Sequence, residues 1–339
     1  MLTKPVILLT LGFLLSCCGS DLQHSNLNLK KDPRFPQWLT YEGFNADQTS
    51  GITFINQDPG GGRHFLLADD TGGILHLTIS GDTISTLRPV KFSDTFQAYI
   101  DTFPKADFEE IVYDKKNNKV YLSIEGNGQH PEYFAGIYLL HFQNDDVLAD
   151  TLESIERLTF TPVKEFQKYL ENNIGYEGLA VDDNYFYLGL EGFTQGKLFA
   201  DSTVLFIAEK NSRKIIKQIN TGPLGIHTIC GLYSDKNNSL YGVDRNNKTF
   251  FHLLIDAHQN VVDTALVKIK TNIPNYNSFD YVASIESITM DPEKNVYMTD
   301  DPWKTFFIPS KEILSQLDSL TVNHFRNFVP VIYRYSLIK

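Results

Sequence analysis

The sequence has 339 residues, with 41 acidic and 30 basic side chains, and its formal net charge is -11. This excess of acid argues against a nucleic-acid partner or an anionic lipid surface, and it is compatible with cations or sugars as ligands. A chain of this length can bury a sizeable core, either as two domains or as one large all-β domain.

The first residues have the layout of an export signal. MLTKPVILLTLGFLLSCCGS contains one lysine, an apolar run too short to span a bilayer, and then small residues and cysteine. Leu14-Leu15-Ser16-Cys17 resembles the bacterial lipobox, in which the cysteine becomes the lipidated first residue of the mature chain. Cys18 is the alternative acceptor, and an ordinary secretory signal is the alternative to a lipoprotein. We expect residues 1–16 to be removed and Cys17 to anchor the exported protein to the cell envelope, in the periplasm or at the outer membrane of a Gram-negative bacterium.

Residues 17–36 are polar with little apolar periodicity, which predicts a flexible tether to the membrane. Once Cys17 carries a lipid, only Cys18 and Cys230 remain as thiols. No structural disulfide is therefore expected, although the compartment would permit one.

One hairpin unit recurs five times beyond residue 36. Each copy is a short apolar strand, a turn rich in Asp, Asn, Lys or Gly, and a second strand that usually contains Tyr and ends in acid. The copies span residues 50–70, 108–125, 176–191, 229–244 and 285–301. Two further strand-like runs follow most hairpins, and the units start 53 to 68 residues apart. Such four-stranded antiparallel units predict an all-β fold, a β-propeller of five blades.

Residues 37–339 are thus predicted to form a single propeller domain with helical inserts near 163–173 and 311–320. Six blades are the alternative if one insert hides a degenerate unit. A two-sheet sandwich is the other architecture considered, but it does not predict the recurrent hairpin. The last unit lacks its outer strand, and QWLTYEGF (37–44) is predicted to supply it and close the ring.

Acidic residues recur at the open ends of these hairpins. In a propeller, first strands line the central channel and begin on the face where second strands end, so Glu109, Glu177 and Glu286 are predicted to converge at one channel mouth. Carboxylates about 4 Å apart repel by roughly 4 kcal/mol at an effective dielectric near 20, so such a ring either raises its pKa values or holds a cation. Oxygen-only ligands in a flexible ring favour calcium, Ca2+, as the cofactor.

Five further acids are placed at or beside the same mouth, and turn capping or solvent exposure is the favoured interpretation for them. They are Glu110, Glu125, Glu191, Asp244 and Asp300.

Three side chains are candidates for catalysis or anion binding. For each of them, an ordinary surface role is the alternative interpretation. His130 ends a glycine-rich loop after the second strand of unit two, His227 enters unit four, and Arg245 follows Asp244. Cys230 occupies an inner-strand slot, but its apolar neighbours predict an inert, packed thiol.

An aromatic run follows the last acidic hairpin. Trp303, Phe306 and Phe307 form either an apolar wall over the channel mouth or the packing face of the following insert, and packing is favoured.

Asn173-Ile174-Gly175-Tyr176-Glu177-Gly178-Leu179-Ala180, with Glu191 following, resembles a motif of the phytase-like esterase propellers of secreted bacterial proteins. More loosely, the chain is similar to calcium-dependent gluconolactonase-type propellers. The resemblance implies a channel-centred cation site and hydrolysis of esters or phosphoesters, with the metal activating water. Two departures from the pattern of these families make phytate a doubtful substrate. Only Arg245, with Lys210 or Arg213, offers a cation near the mouth, and Cys230 replaces one inner glutamate.

Two functions follow from these observations. The first is a calcium-dependent hydrolase of an ester, lactone or phosphoester in the cell envelope, with a small-molecule ligand at the channel mouth. The alternative is a non-catalytic binding or scaffold lipoprotein that recognises a glycan or a partner protein. The acidic mouth is compatible with both, and the glutamate ring favours the hydrolase.

Overall fold

The computed structural model describes residues 27–192 and 202–338. The predicted signal peptide and the cysteines at positions 17 and 18 lie outside the described residues. Within the described part, no helix is both long and apolar enough to cross a membrane.

The described strands form five antiparallel sheets that follow one another along the chain. Blade one contains Thr49–Gln57, Gly62–Asp69, Ile74–Ser80 and Thr83–Pro89. Blade two contains Phe108–Asp114, Lys119–Ile124, Gly136–Phe142 and Thr151–Arg157, with Lys91–Phe92 pairing parallel to the last of them. Blade three contains Gly178–Val181, Tyr185–Gly189, Val204–Glu209 and Ile215–Asn220. Blade four contains Gly231–Ser234, Ser239–Asp244, Thr249–Ile255 and Val261–Lys268.

Blade five joins the two ends of the described chain. Its strands are Ile285–Met290, Asn295–Asp300, Val331–Ile338 and Asn28–Lys31, and Gln37–Trp38 also pairs with the strand from Val331. The flexible tether expected through residue 36 is therefore wrong for Asn28–Lys31, whose backbone is paired. Arg334 reinforces this pairing, since its guanidinium lies 2.6 Å from the carboxylate of Asp32.

The segment predicted as a single closing strand, residues 37–44, is divided in the structure. Only Gln37–Trp38 pairs with blade five, while Thr40–Tyr41 and Phe44–Asn45 pair with each other. Glu42 and Gly43 have positive φ angles of 49° and 83°, so they form a tight hairpin turn that reverses the chain.

The first strands of the blades form a closed ring. Each contacts the first strands of both neighbouring blades, and the first strand of blade five contacts that of blade one. Five apolar clusters fill the spaces between adjacent blades. The middle strands are consequently buried on both faces, as in Tyr185–Gly189, while the outer strand Ile215–Asn220 alternates between half-buried and exposed side chains. The five-bladed prediction is confirmed.

The inserts are less helical than predicted. The region 163–173 contains one helical turn, Val163–Phe166, and the region 311–320 contains Lys311–Leu314 and the start of Ser319–Arg326. The other helix is Asp94–Ile100, short 3₁₀ turns occupy Pro131–Tyr133, Gln143–Asp145, Gly222–Leu224 and Thr305–Phe307, and Asn272–Ile273 pairs with Tyr276–Asp280.

Candidate functional site

A cavity of about 420 Å³ opens at the end of the ring where the first strands begin. Glu109, Glu177 and Glu286, the predicted inner acids, all line it. They come from blades two, three and five, and each is less than a tenth exposed. The ring geometry therefore brings together three carboxylates that lie far apart in the sequence.

A second circle of side chains comes from the ends of the second strands. Strand pairing aligns Leu67, Leu122, Leu188, Gly242 and Met298. The residues three positions later all line the cavity, and they are Asp70, Glu125, Glu191, Arg245 and Asp301. Four of the five are acidic, so the mouth collects more carboxylate than the inner strands alone supply.

Asp244 and Asp300 stand one residue before the members of this circle. The favoured interpretation as a turn-capping acid is confirmed for Asp244, whose Oδ1 atom accepts the Asn247 N–H at 2.9 Å. The Oδ2 atom of Asp244 accepts the His227 N–H at 2.8 Å, and the Oδ1 atom of Asp300 accepts the Val331 N–H at 2.6 Å. Successive side chains of a strand point to opposite faces, so these two carboxylates turn into the protein and satisfy backbone donors.

Asp107, which the sequence pattern did not single out, completes the acidic cluster. Carboxylate oxygens of Asp107, Glu109 and Glu125 lie within 4.8 Å of one another, as do those of Glu125, Glu177 and Glu191. Glu125 belongs to both groups. Asp107 stands two residues before Glu109, so the alternation of side chains along a strand places both on the same side. This alternation is the sequence signal that would have predicted Asp107 at the mouth.

Few basic side chains compensate the negative charges of this cluster. Burial, and next the Glu191 carboxylate, raise the pKa of both Glu125 and Glu177 well above the ordinary value. Burial and the Glu177 carboxylate do the same to the pKa of Glu109. The Oε1 atom of Glu125 and the Oε2 atom of Glu177 are buried and have no hydrogen-bond partner among the described residues.

Arg245 is the main internal counter-ion of the mouth. Its guanidinium donates to Glu191 of blade three and to Glu286 of blade five. Ser284 also donates to the same Glu286 oxygen at 2.8 Å. Glu286 is thereby held in the cavity but outside the two carboxylate groups, and its role as a metal ligand stays a prediction.

Two lysines at the cavity were not anticipated because they lie in loops without a repeat pattern. Lys105 places its Nζ atom 2.5 Å from Asp107 and 3.4 Å from Asp70. Lys304 lies over the ring of Trp303, with 3.3 Å between its Nζ atom and the ring centroid. Trp303 lines the cavity, whereas Phe306 is 58% exposed and Phe307 is buried.

The other basic candidates lie elsewhere. The Nζ atom of Lys210 is 2.5 Å from Asp114, which ends an inner strand and therefore belongs to the opposite face. Arg213 lines a separate surface pocket with Lys210. Placing these two at the mouth is wrong.

The predicted catalytic histidines do not reach the cavity either. The His130 side chain is 62% exposed and contacts Glu132, while His227 contributes only a backbone N–H to Asp244. In the described ranges, no histidine lines the cavity. Cys230 is 1% exposed, and burial raises the pKa of its thiol well above the ordinary value, as for a packed thiol.

The residues at the mouth fit a hard cation. Their donors are carboxylate oxygens, two groups of three lie close enough to share an ion, and buried oxygens there lack partners. A bound cation would offset the repulsion that raises the carboxyl pKa values.

A family model for phytase-like proteins, described as "esterase-like activity of phytase", matches residues 47–219, slightly more than half of the chain. The chain belongs to this family. The resemblance inferred from the sequence is therefore confirmed, and membership suggests an enzymatic role. No curated protein sequence matches the chain significantly.

Solved structures of similar shape share little sequence with the phytase-like chain. A GH43_1 enzyme from Xanthomonas citri complexed with xylose is 9% identical, with 88% of each chain covered and a TM-score of 0.51. The PQQ-bound aldose sugar dehydrogenase from Streptomyces coelicolor is 9% identical over 90% of this chain and 98% of that chain, with a TM-score of 0.45. A luciferin-regenerating enzyme is 11% identical over 91% and 95%, with a TM-score of 0.46. At such identities the similarity concerns the fold alone.

Proposed function

We propose that the protein is an exported, lipid-anchored hydrolase that holds calcium at the channel mouth and cleaves an ester, a lactone or a phosphoester. The observation that carries this proposal is the pair of carboxylate groups that share Glu125 inside one open cavity. Membership of a family described by esterase-like activity supports the reaction class. The sequence Leu14-Leu15-Ser16-Cys17 supports the lipid anchor.

The calcium ligands would be the acids of the two groups, with Glu125 central to both. They are Asp107, Glu109, Glu125, Glu177 and Glu191. Calcium bound there supplies a Lewis acid for the substrate oxygen and for a nucleophilic water. Glu286 would join the ligands only if Arg245 released it, because its Oε1 atom accepts both Arg245 and Ser284.

In this proposal Asp70 would accept a proton from the attacking water. It lines the same cavity outside both carboxylate groups, its Oδ1 atom has no hydrogen-bond partner in the part of the chain that the structure describes, and its Oδ2 atom lies 3.4 Å from Lys105. Burial raises the pKa of Asp70 to about 7, and the carboxylates of Asp107 and Glu286 add to this while Lys105 opposes it. Asp301 also faces Asp70. A base with a pKa near the working pH transfers protons effectively.

The basic side chains at the mouth argue for a substrate with little negative charge. Lys105 already pairs with Asp107 and Asp70, and Arg245 already pairs with Glu191 and Glu286. A polyanion such as phytate would need several uncommitted cations here, whereas among the described residues of the cavity only Lys304, which lies over Trp303, forms no ion pair. Trp303 offers an aromatic surface at the same cavity for an uncharged part of the substrate.

A substrate panel tests this proposal. Hydrolysis of generic ester, lactone and phosphomonoester substrates is measured with calcium and with a chelator, for the wild type, Glu177→Gln and Glu153→Gln. Glu153 is an exposed acid on the outer strand of blade two and serves as the matched control. We expect calcium-dependent turnover that is lost in Glu177→Gln and retained in the control. Calcium binding without turnover on any substrate would instead favour the binding lipoprotein.

A further inference from the structure

Glu110 is a buried acid that the proposed mechanism does not use. It is 1% exposed, and its Oε1 atom accepts the backbone N–H groups of Ile52 and Ile111, each at 3.2 Å. The N–H groups of Leu232 and Ile288 lie near the same carboxylate, but its Oε2 atom has no hydrogen-bond partner among the described residues. These four residues belong to the first strands of blades one, two, four and five.

The position of Glu110 follows from these contacts. A side chain from blade two that contacts the first strands of blades one, four and five must cross the central channel. Glu110 does not line the acidic cavity at the mouth. Ile52, Ile111, Leu232 and Ile288 line a separate apolar pocket of about 160 Å³. The carboxylate of Glu110 therefore lies on the axis, between the acidic mouth and this apolar pocket.

Small residues in the other blades make room for this side chain. The residues at the position equivalent to Glu110 are Gly51, Gly178, Gly231 and Ser287. A Cβ atom on Gly231 would lie 3.0 Å from the Oε2 atom of Glu110 and 2.8 Å from the carbonyl oxygen of Glu286. One long side chain and four short ones thus fill the channel at this level.

The chemistry of the surroundings makes Glu110 an anchor for backbone, not a ligand for a cation. Burial raises the pKa of Glu110 well above the ordinary value, and the surrounding N–H groups, whose positive ends point towards its oxygens, partly offset this effect. A cation placed among the same donors would be repelled. The side chain therefore supplies one acceptor, its Oε1 atom, to the first strands of blades one and two.

We propose that Glu110 is the positioning residue for the blade-two acids of the mouth: its Oε1 atom ties the first strand of blade two to that of blade one. The anchored N–H group of Ile52 lies two residues after Ser50, which lines the mouth. In blade two, Glu109 directly precedes Glu110. If the first strand of blade two shifted along or away from the axis, it would carry its acids with it, so the anchor sets the position of these carboxylates relative to the rest of the mouth.

The test uses Glu110→Gln, which keeps the shape but replaces one acceptor oxygen with a donor that faces N–H groups. Hydrogen exchange measured by mass spectrometry, without calcium, should be at least tenfold faster in the peptides covering Thr49–Gln57 and Phe108–Asp114. Ile207→Ala is the matched control, a core truncation in the third strand of blade three that lowers stability away from the axis. In Ile207→Ala, exchange in these two peptides should not increase more than exchange in peptides from the other blades.

The calcium measurement is a second arm, and it rests on the proposed cation site. At a temperature where both variants are folded, Glu110→Gln should bind calcium at least tenfold more weakly than the wild type, and Ile207→Ala should bind as the wild type does. If the wild type binds no calcium, the proposed function fails while the exchange experiment still decides the role of Glu110.

Two results would overturn the inference: equal exchange in Glu110→Gln and in the control, or an unchanged calcium affinity in a wild type that binds calcium. If Glu110→Gln does not fold, Glu110→Asp replaces it. This variant keeps the charge but is one methylene shorter, and it must show the same selective increase in exchange for the inference to stand.

Discussion

Glu177→Gln should have opposite effects on stability with and without calcium. Glu177 is 8% exposed, and its carboxylate lies within 4.8 Å of those of Glu125 and Glu191. Two ionised carboxylates at that separation repel by about 3.5 kcal/mol at an effective dielectric of about 20. The variant removes this repulsion. Since the raised pKa of Glu177 lets a proton relieve part of it already, we expect the calcium-free variant to be at least as stable as the wild type.

Calcium reverses that order because the variant loses an anionic ligand. A calcium concentration 100-fold above Kd stabilises a protein by about 2.7 kcal/mol, whereas a concentration equal to Kd adds only about 0.4 kcal/mol. If the substitution weakens binding about 100-fold, calcium at that level should raise Tm by ~5 °C or more in the wild type and by ~1 °C in the variant, at roughly 2 °C per kcal/mol.

Thermal melting by circular dichroism, over a calcium titration and with magnesium as a comparison, measures both effects. Glu153→Gln should melt as the wild type does under every condition. A calcium-free variant that is clearly less stable than the wild type, together with an undiminished calcium response, would refute the argument that Glu177 is a repelled ligand.

Three further changes have defined outcomes. Arg245→Gln leaves Glu191 and Glu286 without their buried counter-ion, so the calcium-free protein should lose about 3 kcal/mol in urea unfolding; an unchanged midpoint would show that the ion pairs do not stabilise the fold. If Asp70 is the base, its carboxylate must be ionised, so kcat/KM should rise with pH and level off at or below about 7, because calcium bound in the same cavity would lower the pKa of Asp70 from its calcium-free value. Asp70→Asn should abolish that profile, and a retained profile would exclude Asp70. Cys17→Ser should abolish the incorporation of radiolabelled fatty acid into the protein in growing cells, and a wild type that incorporates none would contradict the lipid anchor.

The propeller could be predicted from the sequence because the hairpin repeat reflects a physical requirement. Each blade is apolar on both faces and turns back at Asp, Asn, Lys or Gly, so the same residue types recur wherever a blade is built. The inner acids Glu109 and Glu177 could be placed for the same reason, since each stands at the start of a recognisable first strand.

The second circle of the site was harder to place because its register depends on irregular pairing. The pairing of first and second strands shifts between Phe108 and Ile111 and again between Ile285 and Ser287. A shift of one residue exchanges the side chain that faces the mouth for one that faces the interior. Asp301, not Asp300, consequently faces the mouth.

The remaining errors concern contacts between segments that are distant in sequence. Asn28–Lys31 is a strand only because Val331–Ile338 offers it an unpaired edge. Lys105 and Lys304 reach the mouth from loops whose course no periodicity encodes. The axial position of Glu110 requires the closed ring itself, because its neighbours come from other blades as well as from its own.

The most direct test of the account is an anomalous difference map from crystals grown with calcium. The account predicts a peak inside the mouth cavity, within ligand distance, about 2.4 Å, of Glu125 and of at least one acid from each of blades two and three. A map without a peak in this cavity, at a calcium concentration that stabilises the protein in solution, would contradict the assignment of the carboxylate cluster as the cation site.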